Sequence, residues 1–213
     1  MKLNSFVKSI VGGICALVAT VGVGSIINFS SSSDLVDAQP APNIYSVPEA
    51  KAVLDKNLSE AQLQKEQELA EVEKTYELPA EGTFETEYSF PELNDQRSQA
   101  DAQLMQRSSG DSKFEVEKVW YEPGYFKSDA LVQWQCAWLK EAVLAQESAD
   151  RDRFDTAISQ LRGFTNREEA SMFPDYDVFL NENVVPLEHG KDQAARAFLN
   201  SGYSCVKQNQ INN

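Results

Sequence analysis

A long uncharged run of mostly apolar residues dominates the beginning of the chain. Residues 10–29 form an apolar stretch without a charged side chain, and at about 1.5 Å of rise per residue a helix of this length crosses a hydrocarbon layer of about 30 Å. Lys2 and Lys8 precede the run and acidic residues follow it. The positive-inside tendency therefore predicts a cytoplasmic N-terminus at 1–8, an anchor at 9–29 and a domain exported across the plasma membrane.

Small residues recur along one face of this predicted membrane helix. Gly12, Ala16, Thr20 and Gly24 lie four positions apart, which places them in one row and allows a second helix to approach closely. The spacing predicts a transmembrane partner, either a second copy of this chain or another membrane protein. Glycine and alanine are also frequent in membrane helices, so the same row can arise without a partner.

A cleaved signal peptide is the alternative interpretation of the N-terminus. Val36 and Ala38 are small enough to precede a cut at Gln39. The apolar run exceeds the length usual for such a signal, and the cut would lie well beyond its end, which favours a retained anchor. Both interpretations place the domain outside the cytoplasm.

The region after the apolar run changes from a flexible composition to a helical pattern. Residues 30–48 are rich in serine and proline and predict a solvated stalk. Ser46 followed by Glu49 has the spacing of a capping box, and apolar residues then recur at near-helical spacing until Pro79. The pattern predicts an acidic amphipathic helix at 49–78.

The next region has the weakest pattern in the chain. Residues 79–112 are rich in Glu, Gln, Ser and Asp and predict an acidic linker of low order. Thr83–Phe90 and Lys113–Tyr121 alternate enough to form strands, which leaves room for one short β-hairpin.

The C-terminal region, 113–213, carries the clearest helical signals. Leu131, Trp134 and Trp138 share one stripe with Ala142, and a second apolar stripe runs beside it. An apolar face this wide belongs to a buried helix. The fold class expected is mainly α: a single N-terminal transmembrane helix, a flexible stalk and a small helical extracytoplasmic domain.

The charge of the chain excludes some partners. The 213 residues carry a formal charge of -14, and Lys2 and Lys8 are the only charged residues among the first 33, so residues 34–213 carry -16. Such a surface repels phosphate backbones and anionic head groups, which argues against binding nucleic acid or lying flat on a membrane.

The cysteines indicate the compartment. Cys15 lies inside the predicted membrane span, which leaves Cys136 and Cys205 in the exported domain. In an oxidising compartment two such cysteines most simply form a disulfide, worth about 4 kcal/mol for a loop of roughly 70 residues on the chain-entropy model. Two separate thiols are the alternative.

Aromatic residues are dense between positions 120 and 138, and they have two interpretations. Trp120 and Tyr121 are candidates for stacking on a sugar or a peptide. The spacing of Trp134 and Trp138 instead matches the buried face of the predicted helix, which favours packing in the core.

Motifs for catalysis, cofactors and metals give no assignment. His189 is the only histidine, and no nucleophile and acid can be matched to it. Clusters such as Asp150, Asp152 and Asp155 fail the calcium-loop pattern, because Phe154 stands where oxygen is needed. No catalytic residue, cofactor or metal ligand is predicted.

These observations favour a membrane-anchored extracytoplasmic protein that acts without catalysis, as an interaction module or accessory subunit of a membrane or envelope complex. Two alternatives stay open. The first is an extracytoplasmic hydrolase of envelope glycans that uses two carboxylates. The second is a secreted ligand-binding protein released by signal cleavage.

Overall fold

The computed structural model describes residues 43–106, 112–201 and Cys205. The predicted anchor at 9–29, its row of small residues and the stalk up to residue 42 lie outside this part of the chain. Within the described part, none of the helices combines the length and the apolar character needed to span a bilayer.

The described chain is mainly helical, with one small antiparallel sheet of two strands. The main elements in order are β1 (Ile44–Ser46), α1 (Val47–Thr75), α2 (Pro91–Leu104), β2 (Lys113–Glu115), α3 (Tyr125–Glu147), α4 (Arg151–Gly163), α5 (Tyr176–Phe179), α6 (Val185–Glu188) and α7 (Gln193–Ser201). Short 3₁₀ turns occupy Phe164–Asn166 and Glu168–Met172, and a π turn occupies Leu180–Val184.

Helix α1 confirms the helix predicted from the capping box. The Glu49 carboxylate accepts hydrogen bonds from the Ser46 backbone N–H at 3.0 Å and from the Ser46 hydroxyl at 2.7 Å. Pro48 lies in the first turn, where its missing N–H is not needed. The helix begins at Val47 and ends at Thr75, four residues before Pro79.

The stalk predicted at 30–48 is wrong at its C-terminal end. Strand β1 pairs with β2, with Tyr45 opposite Phe114, and Val47 is fully buried. The strand begins at Ile44, and because Tyr45 and Val47 bury apolar surface the chain is packed from Tyr45 onward, which a serine- and proline-rich composition does not indicate.

The predicted hairpin is also wrong. Strand β2 does form, but it pairs with β1 and not with residues 83–90, which form no strand. The alternating residues of 83–90 serve side-chain packing instead, because Phe84 packs against one hydrophobic cluster and Tyr88 against another. The Glu85 N–H is satisfied by the Gln133 side chain at 2.7 Å and not by a neighbouring strand.

The linker of low order predicted at 79–112 is wrong where α2 forms. The helix begins directly with Pro91 and buries Leu93, Gln96 and Ala100. The amide of Gln96 pairs with the Glu117 backbone, accepting from its N–H at 2.9 Å and donating to its carbonyl at 3.2 Å. The polar composition of this helix gave no helical signal, because the helix is stabilised by a few apolar contacts and by hydrogen-bonded polar side chains.

Two hydrophobic clusters form the core, and α1 runs through both of them. The first cluster joins the start of α1 to α2 and β2 and includes Leu54 and Phe114. The second surrounds α3 and includes Val72 near the end of α1. Helix α3 is buried on most of its surface, which confirms the prediction of a buried helix.

The helical segment from α5 to α6 contains a proline inside its length. Helices α5 and α6 are joined through the π turn at Leu180–Val184, just before Pro186. Proline has no N–H and crowds the carbonyl of the preceding turn, so a wider turn at this point lets the chain stay helical.

Candidate aromatic groove

The two candidate disulfide cysteines lie next to each other in the structure. Cys136 of α3 and Cys205 lie 69 positions apart in sequence and form a disulfide with their Cα atoms 5.2 Å apart. Both residues are about 1% exposed. The bond ties the end of the described chain to the central helix.

The two candidate aromatics differ in their exposure to solvent. Trp120 is 65% exposed, whereas Tyr121 is partly buried and packs against the first hydrophobic cluster. The row formed by Gly12, Ala16, Thr20 and Gly24 lies outside the described residues.

Tyr121 belongs to a group of five rings that we call the aromatic cluster, composed of Tyr88, Phe90, Tyr121, Tyr125 and Phe126. The centroid of the Tyr88 ring lies 4.9 Å from that of Phe90 and 5.4 Å from that of Phe126, and both pairs are edge-on. The Tyr121 ring lies 5.7 Å from that of Phe90 and 5.4 Å from that of Tyr125. Edge-on pairs at these distances are favourable beyond the area they bury.

The hydroxyl groups of Tyr88 and Tyr121 stay protonated at neutral pH. Burial raises the pKa of Tyr121 to about 12. Burial also raises the pKa of Tyr88, and the contact of its hydroxyl with that of Tyr125 at 3.3 Å raises it further. At neutral pH these side chains therefore offer ring faces and neutral hydroxyls, and they do not act as bases.

A groove of about 650 Å³ opens beside the aromatic cluster. One wall is a face of α1, and the other is the segment that leads to α2. The lining residues are Gln62, Lys65, Glu66, Glu85, Glu87, Tyr88, Ser89 and Phe90. The Lys65 ammonium donates a hydrogen bond to the Thr86 carbonyl and so connects the two walls.

The Glu68 carboxylate fixes the chain on the other side of the cluster. One oxygen accepts from the Gly124 N–H at 2.8 Å, and the other accepts from the N–H groups of Phe126 at 2.9 Å and Lys127 at 3.0 Å. These groups form the N-terminus of α3, where a negative charge is favoured by the helix dipole. A side chain of α1 therefore caps α3 and sets the positions of the Tyr125 and Phe126 rings.

The turn at Phe90 sets the direction of the second wall. Phe90 has φ of 46° and ψ of 56°, a left-handed conformation that is uncommon for a residue other than glycine. Its ring is 2% exposed and packed within the cluster. The packing of the ring holds the strained backbone, which turns the chain from the groove into α2.

A smaller pocket of about 260 Å³ lies near the end of α1. Its principal charged groups already engage each other or a neighbour: Lys127 pairs with Glu71 at 2.7 Å, and the Tyr76 hydroxyl donates to Glu169 at 2.6 Å. That hydrogen bond lowers the pKa of Glu169. These contacts link α1 to α3 and to the 3₁₀ segment at Glu168–Met172, and we interpret their role as structural.

Two of the acidic groups considered for metal binding, Asp150 and Asp155, have structural roles. Asp150 is the N-cap of α4 and accepts from the Arg153 N–H at 3.1 Å, and Asp155 pairs with Arg151 at 2.9 Å. Across residues 43–106, 112–201 and Cys205, no group of three or more His, Cys, Asp or Glu side chains is arranged to hold a metal ion.

Sequence reasoning missed Tyr88, Phe90 and Tyr125 as parts of a site. Tyr125 stood in the aromatic-rich region, but Tyr88 and Phe90 were placed in a strand. The only signal was the aromatic content of 84–90 inside a polar stretch. Comparison of the chain with protein-family models, with curated proteins and with solved structures found no match.

Proposed function

We propose that the protein is a single-span, membrane-anchored extracytoplasmic interaction module, an accessory subunit of a membrane or envelope complex that works without catalysis. The observation that carries the proposal is the open groove beside the aromatic cluster. Tyr88, partly buried, lines it in front of the buried Phe90 ring, and Tyr125, 40% exposed, continues the aromatic surface toward solvent. Tyrosine is among the residues enriched at the energetic centres of protein interfaces.

The way the groove is built suits recognition. Its walls are connected by the Lys65 side chain, and the rings beside it are fixed by Glu68 through three backbone hydrogen bonds. A surface that is already rigid loses little conformational entropy when a partner binds, so more of the contact energy appears as affinity.

The buried disulfide supports the extracytoplasmic location. Disulfides persist in oxidising compartments and are rare where thiols are kept reduced. Cys136 and Cys205 lie in the second hydrophobic cluster, so their disulfide covalently joins parts of the chain that already pack together. This location matches the export that the charge pattern around the predicted anchor indicates.

Site-specific photo-crosslinking in the native membrane tests the proposal. A photoreactive amino acid replaces the exposed Gln62 in the groove, and the control carries it at the exposed Glu182, which lies outside the groove. We expect a discrete crosslinked product from position 62 alone, with mass spectrometry deciding between a different protein and a second copy of this chain. A protein that remains a monomer without crosslinks at either position would contradict the proposed function.

A further inference from the structure

Resting on this proposed function, we propose that the groove binds an extended, lysine- or arginine-rich segment of the partner protein. The proposal depends on the charge, the rings and the shape of the groove together.

The groove carries a net negative charge and is open to solvent. Glu66, Glu85 and Glu87 line it together with one cation, Lys65. Among the ion pairs of the described residues none involves these three carboxylates, and Lys65 is directed to the Thr86 carbonyl.

Other carboxylates of the same domain are paired. Asp55 binds Arg97 at 2.6 Å, Glu141 binds Arg153 at 2.7 Å and Glu188 binds Arg162 at 2.6 Å. The domain therefore compensates several of its acidic groups internally, whereas in the described residues the groove carboxylates have no ion pair and only Glu85 is held, by a hydrogen bond from the Glu87 N–H. Cationic side chains of a partner complement this charge and also speed its association.

The rings favour the same chemistry. A guanidinium or ammonium group is attracted to the face of a tyrosine ring when it lies within about 6 Å of the centroid. Tyr88 is the partly buried ring that lines the groove, and because burial raises the pKa of its hydroxyl, no phenolate forms there at neutral pH. A cation in the groove thus meets carboxylates on the walls and ring surface beside them.

The shape indicates an extended segment. A volume of about 650 Å³ falls in the range of roughly 300–1,000 Å³ that holds small ligands, so a folded domain does not fit. The groove lies between the α1 face and the segment 85–90, open to solvent, and a short stretch of unfolded chain matches this form. Arginine or lysine at alternate positions of that stretch would point toward the carboxylates.

The first test measures binding of a defined probe to the full-length protein in mild detergent. The probe is a fluorescent eight-residue peptide of alternating arginine and serine, and its control has citrulline in place of arginine, which keeps the shape but removes the charge. We expect saturable binding of the arginine peptide and at least tenfold weaker binding of the citrulline peptide. Equal binding of both peptides, or of neither, would overturn the proposal.

Matched variants separate the groove from the overall acidity of the domain. The double variant Glu85→Gln/Glu87→Gln neutralises two groove carboxylates and keeps an amide oxygen for the hydrogen bond that Glu85 accepts from the Glu87 N–H. The control, Glu73→Gln/Glu182→Gln, removes the same charge at exposed positions outside the groove. Circular dichroism verifies that both variants fold.

We expect the groove variant to bind the arginine peptide about tenfold more weakly and the control variant to change affinity by less than twofold. An equal loss in both variants would show attraction by net charge alone and would overturn the proposal. The crosslink at position 62 distinguishes the two proposals: if it forms equally well with Glu85→Gln/Glu87→Gln, the interaction function stands and the cationic segment is wrong.

Discussion

Replacing Glu68 tests how the aromatic surface is held in place. Three backbone N–H groups at the start of α3 donate to this carboxylate, and the Gln64 side chain adds a fourth hydrogen bond at 2.9 Å. Loss of a helix cap costs about 0.5–2 kcal/mol, and each donor left without a partner adds about 1–3 kcal/mol where water cannot replace the acceptor. Gly124 and Lys127 are partly exposed, so water recovers part of this loss. We therefore expect Glu68→Ala to lower the free energy of unfolding by about 2–4 kcal/mol.

The measurement is urea unfolding of the full-length protein in mild detergent, followed by circular dichroism. Glu68→Gln should lose about half as much as Glu68→Ala, because one amide oxygen replaces one of the two acceptors. Glu73→Ala is the control on the same helix, where an exposed side chain should change stability by less than about 0.5 kcal/mol. If Glu68→Ala changes the stability no more than this control, the cap does not hold the N-terminus of α3.

Three further predictions concern the second half of the domain. Ala149→Gly should raise the free energy of unfolding by about 0.5–1 kcal/mol in urea, because Ala149 is exposed with φ of 56°, where a Cβ is unfavourable; a destabilised variant would contradict this explanation. Replacing Cys136 and Cys205 together by alanine should cost about 2–5 kcal/mol in non-reducing thermal or urea unfolding, and an unchanged stability would show that the disulfide does not constrain the chain. The Arg162 guanidinium lowers the pKa of Glu188 below its ordinary 4.5, so the pair stabilises the fold above that pH and loses this contribution as the pH falls through the lowered pKa. Arg162→Met should therefore cost about 0.5–1 kcal/mol at pH 7 and much less near pH 3, and an equal cost at both would argue against the ion pair.

The elements predicted well from sequence are those with local signals. Ser46 and Glu49 identify the start of α1 because a capping box is formed by residues three apart. The stripes around Trp134 and Trp138 identify α3 because a helix buried on most of its surface needs apolar side chains in several directions. Both predictions depend only on neighbours along the chain.

The prediction from sequence fails where contacts between distant residues decide the conformation. Helix α2 has a polar composition, but Arg97 binds Asp55 of α1 and Gln96 binds the backbone beyond β2. Strand β2 pairs with β1, about seventy positions earlier, and not with the nearer segment that alternates. Neither contact leaves a periodic signal in the sequence, so composition predicted low order in a region that is packed.

The groove is the clearest case of a site made by distant contacts. Its two walls, near positions 62–66 and 85–90, are joined because α1 ends, the chain reverses, and Phe90 adopts a left-handed turn that its buried ring stabilises. The rings beside it come from two further positions in the chain, near residues 121 and 126, and Glu68 fixes the second of these from α1. Each part is unremarkable in sequence: a polar helix face, an acidic stretch and a few aromatics. Only their packing brings together a neutral ring and carboxylates that have no ion pair within the described residues, and this combination is the physical basis for expecting a cationic partner.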